Sequence, residues 1–169
     1  GCPSWNGKVL LFGHSAGGQF AAHYLLKHQD RLRACFISSP AIFPMPDSNL
    51  DWPAGARPRT FKMDWGDGPK EFNAGLDVSA WVKALSIPVH LAVGSLDTEK
   101  YKSPFPGSRA MDHVEALLEW HSVMGELAQK NKVPFTWQKT VAPNQPHSSS
   151  RLAPWAMDWF DQTARSLGS

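Results

Sequence analysis

No hydrophobic run in the chain approaches the length of a membrane helix, so a membrane span is not expected and the protein reads as soluble. Charge of one sign is also missing. The formal net charge is only +2 and Lys and Arg are scattered, which leaves no basic stripe for nucleic acid to bind. Cysteine is scarce. Cys2 and Cys35 make neither a metal-ligand nor a C-x-x-C spacing, and Cys35 lies in an apolar run where a buried thiol is common. Both read as free thiols, with a disulfide between them, and hence the compartment, left open. No charged segment followed by an apolar core stands at the start, so the residues shown hold no signal peptide and localisation is not assigned. No internal repeat is present, and 169 residues suit a single domain, 1–169, with a sizeable core.

Against these absences one stretch stands out, Lys8 to Gln19 (KVLLFGHSAGGQ), in which Gly13, Ser15 and Gly17 have the spacing G-x-S-x-G. Val9 to Phe12 is too short to cross a membrane and suits a strand buried on both faces. Ala16 to His28 is helical in composition, with Phe20, Ala21, Tyr24, Leu25 and His28 on one side. A serine between strand and helix is the context of a nucleophile elbow. The turn is so tight that Ser15 must sit in strained backbone, and glycines at 13 and 17 avoid clashes. The Ala16 amide, at the helix N-terminus, is then free to donate to an anion. The alternative is a glycine-rich turn in which Ser15 only caps the helix.

Leu32 to Ser38 predicts a second strand, and a strand, helix, strand order implies a right-handed crossover in a parallel sheet. The fold class is α/β. Residues 40–75 carry Pro44, Pro46, Pro53, Pro58 and Pro69 among Phe43, Trp52, Phe61, Trp65 and Phe72, which suggests an ordered, lid-like insertion. Its aromatics, Trp52 and Trp65 among them, are either pocket wall and substrate contacts or structural packing. Asp64 and Asp67 in DWGDG lack the remaining ligands of a calcium loop. Further on, the patterning predicts a short helix at Leu76–Leu85 and a strand at Pro88–Val93. A long helix follows, capped by Ser108 and running to about Asn131, with Met111, Val114, Leu117, Leu118, Met124, Leu127 and Ala128 on its apolar face. An edge strand at Val133–Val141 comes next. A last helix spans about Arg151 to Ala164, with Leu152, Ala156, Trp159 and Phe160 on its buried side and Pro154 in its first turn.

A serine hydroxyl is a poor nucleophile at neutral pH, so it needs a neutral imidazole to take its proton and a carboxylate to fix that imidazole's tautomer. Ser15, Asp97 and His147 each follow a predicted strand, and parallel strands bring their C-terminal ends to one edge. The order Ser, Asp, His is that of α/β-hydrolases. Of the other histidines, His14 adjoins Ser15 but is expected to point away, His23 and His28 ride the first helix, His90 is within a strand, and His113 and His121 are helical. Asp97 is preferred to Asp64 and Asp67 because a strand terminus is the better-defined location.

With GHSAGGQF at 13–20, VGSLDT at 93–98 and the loop holding His147, the whole chain resembles the C-terminal portion of an α/β-hydrolase of the esterase type. It is most similar to bacterial esterases related to polyhydroxybutyrate depolymerases and feruloyl esterases. The resemblance implies a partial α/β-hydrolase fold: a mostly parallel sheet, flanking helices and the aromatic, Pro-rich insertion after the second strand. It implies Ser15 as nucleophile, His147 as base, Asp97 as acid, Ala16 as one oxyanion donor, and no metal or organic cofactor. His14, Trp52 and Trp65 are candidates for contacts with a small-molecule ester substrate. Such enzymes place strands before the nucleophile strand, and a loop there supplies the second oxyanion amide. No such segment precedes Lys8 here. A missing N-terminal segment or a partner chain is therefore expected at the first strand's edge. Losing one oxyanion donor costs about 3 to 4 kcal/mol of transition-state stabilisation, so the chain alone is expected to be severely slowed. A non-catalytic fragment or binding module of the same fold is the alternative, as is a peptidase, thioesterase or perhydrolase with the same triad.

Overall fold

The computed structural model describes residues 7–64 and 66–166. Its centre is a four-stranded sheet in the order β1 (Val9–His14), β2 (Leu32–Ser38), β5 (Val89–Gly94), β6 (Gln138–Ala142), with every neighbouring pair parallel. Parallel pairing needs crossovers. These are supplied by α1 (Ala16–Lys27), by α2 (Ser79–Ala84) after the insertion, and by α3 (His113–Asn131), and the chain ends in α4 (Ser149–Ser166).

The two central strands are apolar on both faces, as a doubly covered sheet requires. Cys35 and Ile37 of β2 with Val89, Leu91 and Val93 of β5 face the core shared with α1, α2 and α3. Ala34, Phe36 and Ala92 face Ala156, Trp159 and Phe160 of α4. The buried side predicted for the last helix is thus observed in full. Its start is two residues earlier than expected, so Pro154 lies inside the helix rather than in the first turn.

Other expectations need correction. β1 is not buried on both faces: it is an outer strand of the sheet, with Val9 40 %, Leu10 42 % and Phe12 36 % exposed. On α1 the buried residues are Gly18, Ala21, Ala22, Leu25 and Leu26, and Phe20 is exposed against Tyr24. Small residues face the sheet because the helix backbone approaches it closely at Gly18. Ser108 does not cap α3. Asp112 does, accepting from the Glu115 amide at 2.8 Å, whereas the Ser108 hydroxyl donates to Glu119. The apolar face of α3 centres on Trp120, Leu117 and Met124, and Leu118 is exposed. Residues 133–137 are not strand, and β6 begins only at Gln138. Trp137 is instead buried against Trp120. Cys35 is a free, buried thiol, and Cys2 lies outside the described residues.

The insertion divides in two. Its first half is anchored in the core: Phe43 stacks on Trp120 at 4.4 Å, and the indole N–H groups of Trp81 and Trp120 both donate to the Pro44 carbonyl at 2.9 Å. Its second half is an antiparallel hairpin, β3 (Arg59–Asp64) and β4 (Pro69–Ala74), which the Pro and Gly content of the stretch had concealed. Asp64 accepts from the turn amides of Gly66 and Gly68 and Lys70 pairs with Asp67, so hairpin geometry accounts for the DWGDG residues described.

His90 packs between Phe36 and Trp159 and meets the Thr140 hydroxyl at 2.9 Å. Burial lowers its pKa to about 4 from an ordinary 6.5. The unfolded chain therefore takes up a proton at this ring as pH drops below 6.5, whereas the fold resists until about 4. Stability from keeping His90 neutral is complete above that window and lost as pH falls through it. The gap is worth about 3 kcal/mol at full burial, and on the order of 1 to 2 kcal/mol once the ring's partial exposure is allowed for. Urea unfolding at pH 7 and pH 4.5 should show this loss in the wild type and a smaller one in His90→Leu.

Candidate active site

β1 ends at His14 and α1 begins at Ala16, leaving Ser15 alone to turn the chain. It does so at φ 54°, ψ −121°, a conformation that costs a residue with a Cβ on the order of 1 to 3 kcal/mol. The surroundings hold it there. The Ser15 amide donates to the Ser38 carbonyl of the neighbouring strand at 2.9 Å, and its own carbonyl accepts from the Gln19 amide at 3.0 Å. The hydroxyl makes no capping bond to α1, so helix capping does not explain this serine. Ala16, the first residue of α1, has no intrahelical acceptor for its amide.

The glycines divide differently from the sequence expectation. A Cβ at Gly13 would stand 2.1 Å from the Gly17 carbonyl oxygen, and one at Gly18 would stand 2.7 Å from that of Ser38. At Gly17 it would meet nothing within 4 Å. The tight approaches are thus at 13 and 18, and Gly17 contributes its backbone rather than its missing side chain. Gly13→Ala is expected to cost about 3 kcal/mol or more in urea unfolding. Gly17→Ala should be neutral or stabilising by up to about 1 kcal/mol through helix propensity.

Across the sheet edge, two loops are stitched together after β5 and β6. The Ser95 amide donates to the Ala142 carbonyl, the Leu96 amide to that of Gln145 and the Asn144 amide to the Ser95 hydroxyl, at 2.9, 3.0 and 2.9 Å. Asp97, only 3 % exposed, is thereby aimed at the His147 loop, and His147 Nδ1 donates to Asp97 Oδ2 at 2.8 Å. The His147 ring is flanked by those of His14 and His113, each at 4.7 Å between centroids. His14 therefore does not point away, as the sequence suggested. Its Nδ1 meets the Ser38 hydroxyl at 2.9 Å and its ring reaches the histidine across the edge. Asp97 and His147 are in contact. Ser15, next in chain to His14, stands at the same rim, and its hydroxyl makes no hydrogen bond among the described residues.

A family model for the α/β hydrolase fold matches residues 5–86, a span that includes Ser15 but neither Asp97 nor His147. The chain is similar to a solved poly(3-hydroxybutyrate) depolymerase from Bordetella parapertussis at 22% identity and a TM-score of 0.71, covering 92% of this chain and 50% of that one. It is also similar to poly(aspartic acid) hydrolase-1 from Sphingomonas sp. KT-1 at 21% identity and a TM-score of 0.68, covering 90% of this chain and 54% of that one. The chain has the α/β-hydrolase fold. It spans about half the length of these two structures. No curated relative matches it, and among the described residues no helix is long and apolar enough to cross a membrane.

Within the hydrolase fold, His113 is the site residue that sequence reasoning missed. Its Nδ1 lies 3.1 Å from Asp97 Oδ1, a close polar contact, although the buried nitrogen is not aligned for a well-formed hydrogen bond. The signal was available: in a parallel sheet the helix after a strand begins at the C-terminal edge, and His113 is the first residue of α3. The same reasoning applied to the end of β2 would have found Ser38 and Ser39, both fully buried, with Ser39 at φ 44°. Burial pushes the Asp97 carboxyl up, but the polar groups of His113, His147 and Ser39 outweigh it and hold the carboxyl below its ordinary value. Burial and then repulsion by His147 push His14 below its own, so it stays neutral near pH 7. Trp52 packs edge-on to His23 at 4.8 Å and lines a cavity of about 410 Å³ with Ile42, Leu50 and Pro106 but also with Asp51, Arg57 and Arg59. Ser15, Asp97 and His147 are not among its lining residues. Trp65 lies outside the described residues.

Proposed function

We propose that the protein is a serine hydrolase acting on carboxylic esters. Ser15 attacks the ester carbonyl while His147 takes the hydroxyl proton from it through Nε2. Asp97 holds the proton of His147 on Nδ1 and balances the imidazolium that forms. The Ala16 amide donates to the oxyanion, His147 then protonates the departing alcohol, and water hydrolyses the acyl-enzyme by the same steps. The observation that carries this reading is the 2.8 Å bond from His147 Nδ1 to the buried Asp97, which leaves Nε2 as the basic nitrogen. The strained, uncapped Ser15 at the same rim supports the nucleophile. His14, whose ring packs on that of His147, is the proposed contact for the ester substrate, and Trp52 lines a separate cavity that mixes apolar side chains with Asp51, Arg57 and Arg59. Turnover of p-nitrophenyl acetate is expected to fall by more than about 10⁴-fold in Ser15→Ala with the circular dichroism unchanged. Undiminished turnover in that variant would reject the assignment.

A further inference from the structure

The Asp97 carboxylate faces two histidines, one more than a serine hydrolase needs. Asp97, His113 and His147 come from three separate parts of the chain, the β5 loop, the start of α3 and the β6 loop, and their ligating atoms all lie within 4.8 Å of one another. His113 Nδ1 is 3.1 Å and His147 Nδ1 2.8 Å from the two carboxylate oxygens. Two nitrogens and an oxygen around one tetrahedral zinc, each about 2.1 Å from the metal, stand about 3.4 Å apart. Only small rotations separate that arrangement from the one present. The His113 nitrogen is also a buried polar atom whose contact with Asp97 lacks hydrogen-bond geometry, so ligation would give it a well-directed partner. His14 is not part of the set, because its Nδ1 is engaged by Ser38. The exposed His147 ring gives an ion access from solvent.

We infer that Asp97, His113 and His147 form a binding site for a divalent transition-metal ion of the zinc type, and that its occupation switches His147 off as a base. The ion takes the place of the proton that bridges His147 Nδ1 and Asp97. A neutral imidazole ligated through Nδ1 carries its one proton on Nε2, the nitrogen that must otherwise receive the proton of Ser15. No proton is gained or lost by the ring. Metal and catalysis therefore compete for one tautomer. The switch rests on the hydrolase reading, whereas the binding does not.

Chelator-treated protein is titrated with zinc chloride by calorimetry and with cobalt chloride in the visible spectrum. One equivalent should bind, with the intense d–d bands of tetrahedral cobalt. His113→Leu and the more conservative His113→Gln, as well as His147→Gln, should each weaken binding about tenfold or more, with His28→Gln, remote from the site, unchanged. No stoichiometric binding to the wild type, or binding indifferent to both His113 and His147, would overturn the site. In parallel, a fluorophosphonate probe should label Ser15 without zinc and fail with one equivalent present. Labelling that persists on the zinc-loaded protein overturns the switch. No labelling in either sample counts against the hydrolase reading, and the calorimetry still decides the metal site.

Discussion

Asp97→Asn is expected to lower kcat by about four orders of magnitude while the protein stays folded. The carboxylate is buried and receives the His147 Nδ1 proton at 2.8 Å, so in the proposed mechanism it both selects the tautomer with a basic Nε2 and offsets the charge that develops on the ring. A carboxamide of the same shape can turn its NH₂ toward His147. It then favours the tautomer with the proton on Nε2, and it carries no charge. A loss of this size is what a wrong tautomer costs in such a triad. The His113 ring beside the other oxygen would keep a partner of similar shape, which is why folding should survive. Steady-state kinetics with a p-nitrophenyl ester, alongside a urea midpoint, separates the two effects. A kcat within tenfold of wild type at unchanged stability would remove Asp97 from the mechanism.

Gly94→Ala is expected to damage both stability and turnover, although residue 94 carries no chemistry. A Cβ there would stand 2.1 Å from the carbonyl oxygen of Gln145 and 2.8 Å from that of Pro146. These residues immediately precede His147. Glycine at the end of β5 is what lets the His147 loop cross the strand end and reach Asp97. An added methyl must displace backbone rather than a flexible side chain, which places the cost at about 3 kcal/mol or more. Where the fold survives, the displaced loop lengthens the bond between His147 and Asp97. A shift of about 1 Å in a positioning group can cost on the order of 100-fold in rate. Thermal unfolding and kcat should therefore fall together. Gly17→Ala, whose added methyl meets nothing, is the matched control for stability.

The sequence was legible where local chemistry and tertiary demands coincide. β2 and the buried side of α4 follow their apolar patterns, and the loop positions of Asp97 and His147 follow from parallel topology. It misled where packing overrode pattern. The large apolar Phe20 reads as core, but close approach of α1 at Gly18 turns the smallest side chains inward. Pro and Gly in residues 59–74 read as loop, yet the glycines at 66 and 68 occupy positive φ in the turn of a hairpin. His113 reads as one helical histidine among several in the local pattern, and only the parallel topology, which starts the helix at the sheet edge, marks it out. Phe135 and Trp137 alternate with polar residues as in a strand, but Trp137 is drawn into the core by Trp120.

Activation of Ser15 as a nucleophile by His147, as proposed, is tested most directly by mass-spectrometric mapping of the adduct left by a fluorophosphonate on metal-free protein. The expected result is one phosphonyl group on Ser15 in the wild type and a rate of labelling reduced by several orders of magnitude in His147→Ala. An adduct on another residue, or labelling of Ser15 at the same rate without the imidazole, would contradict it.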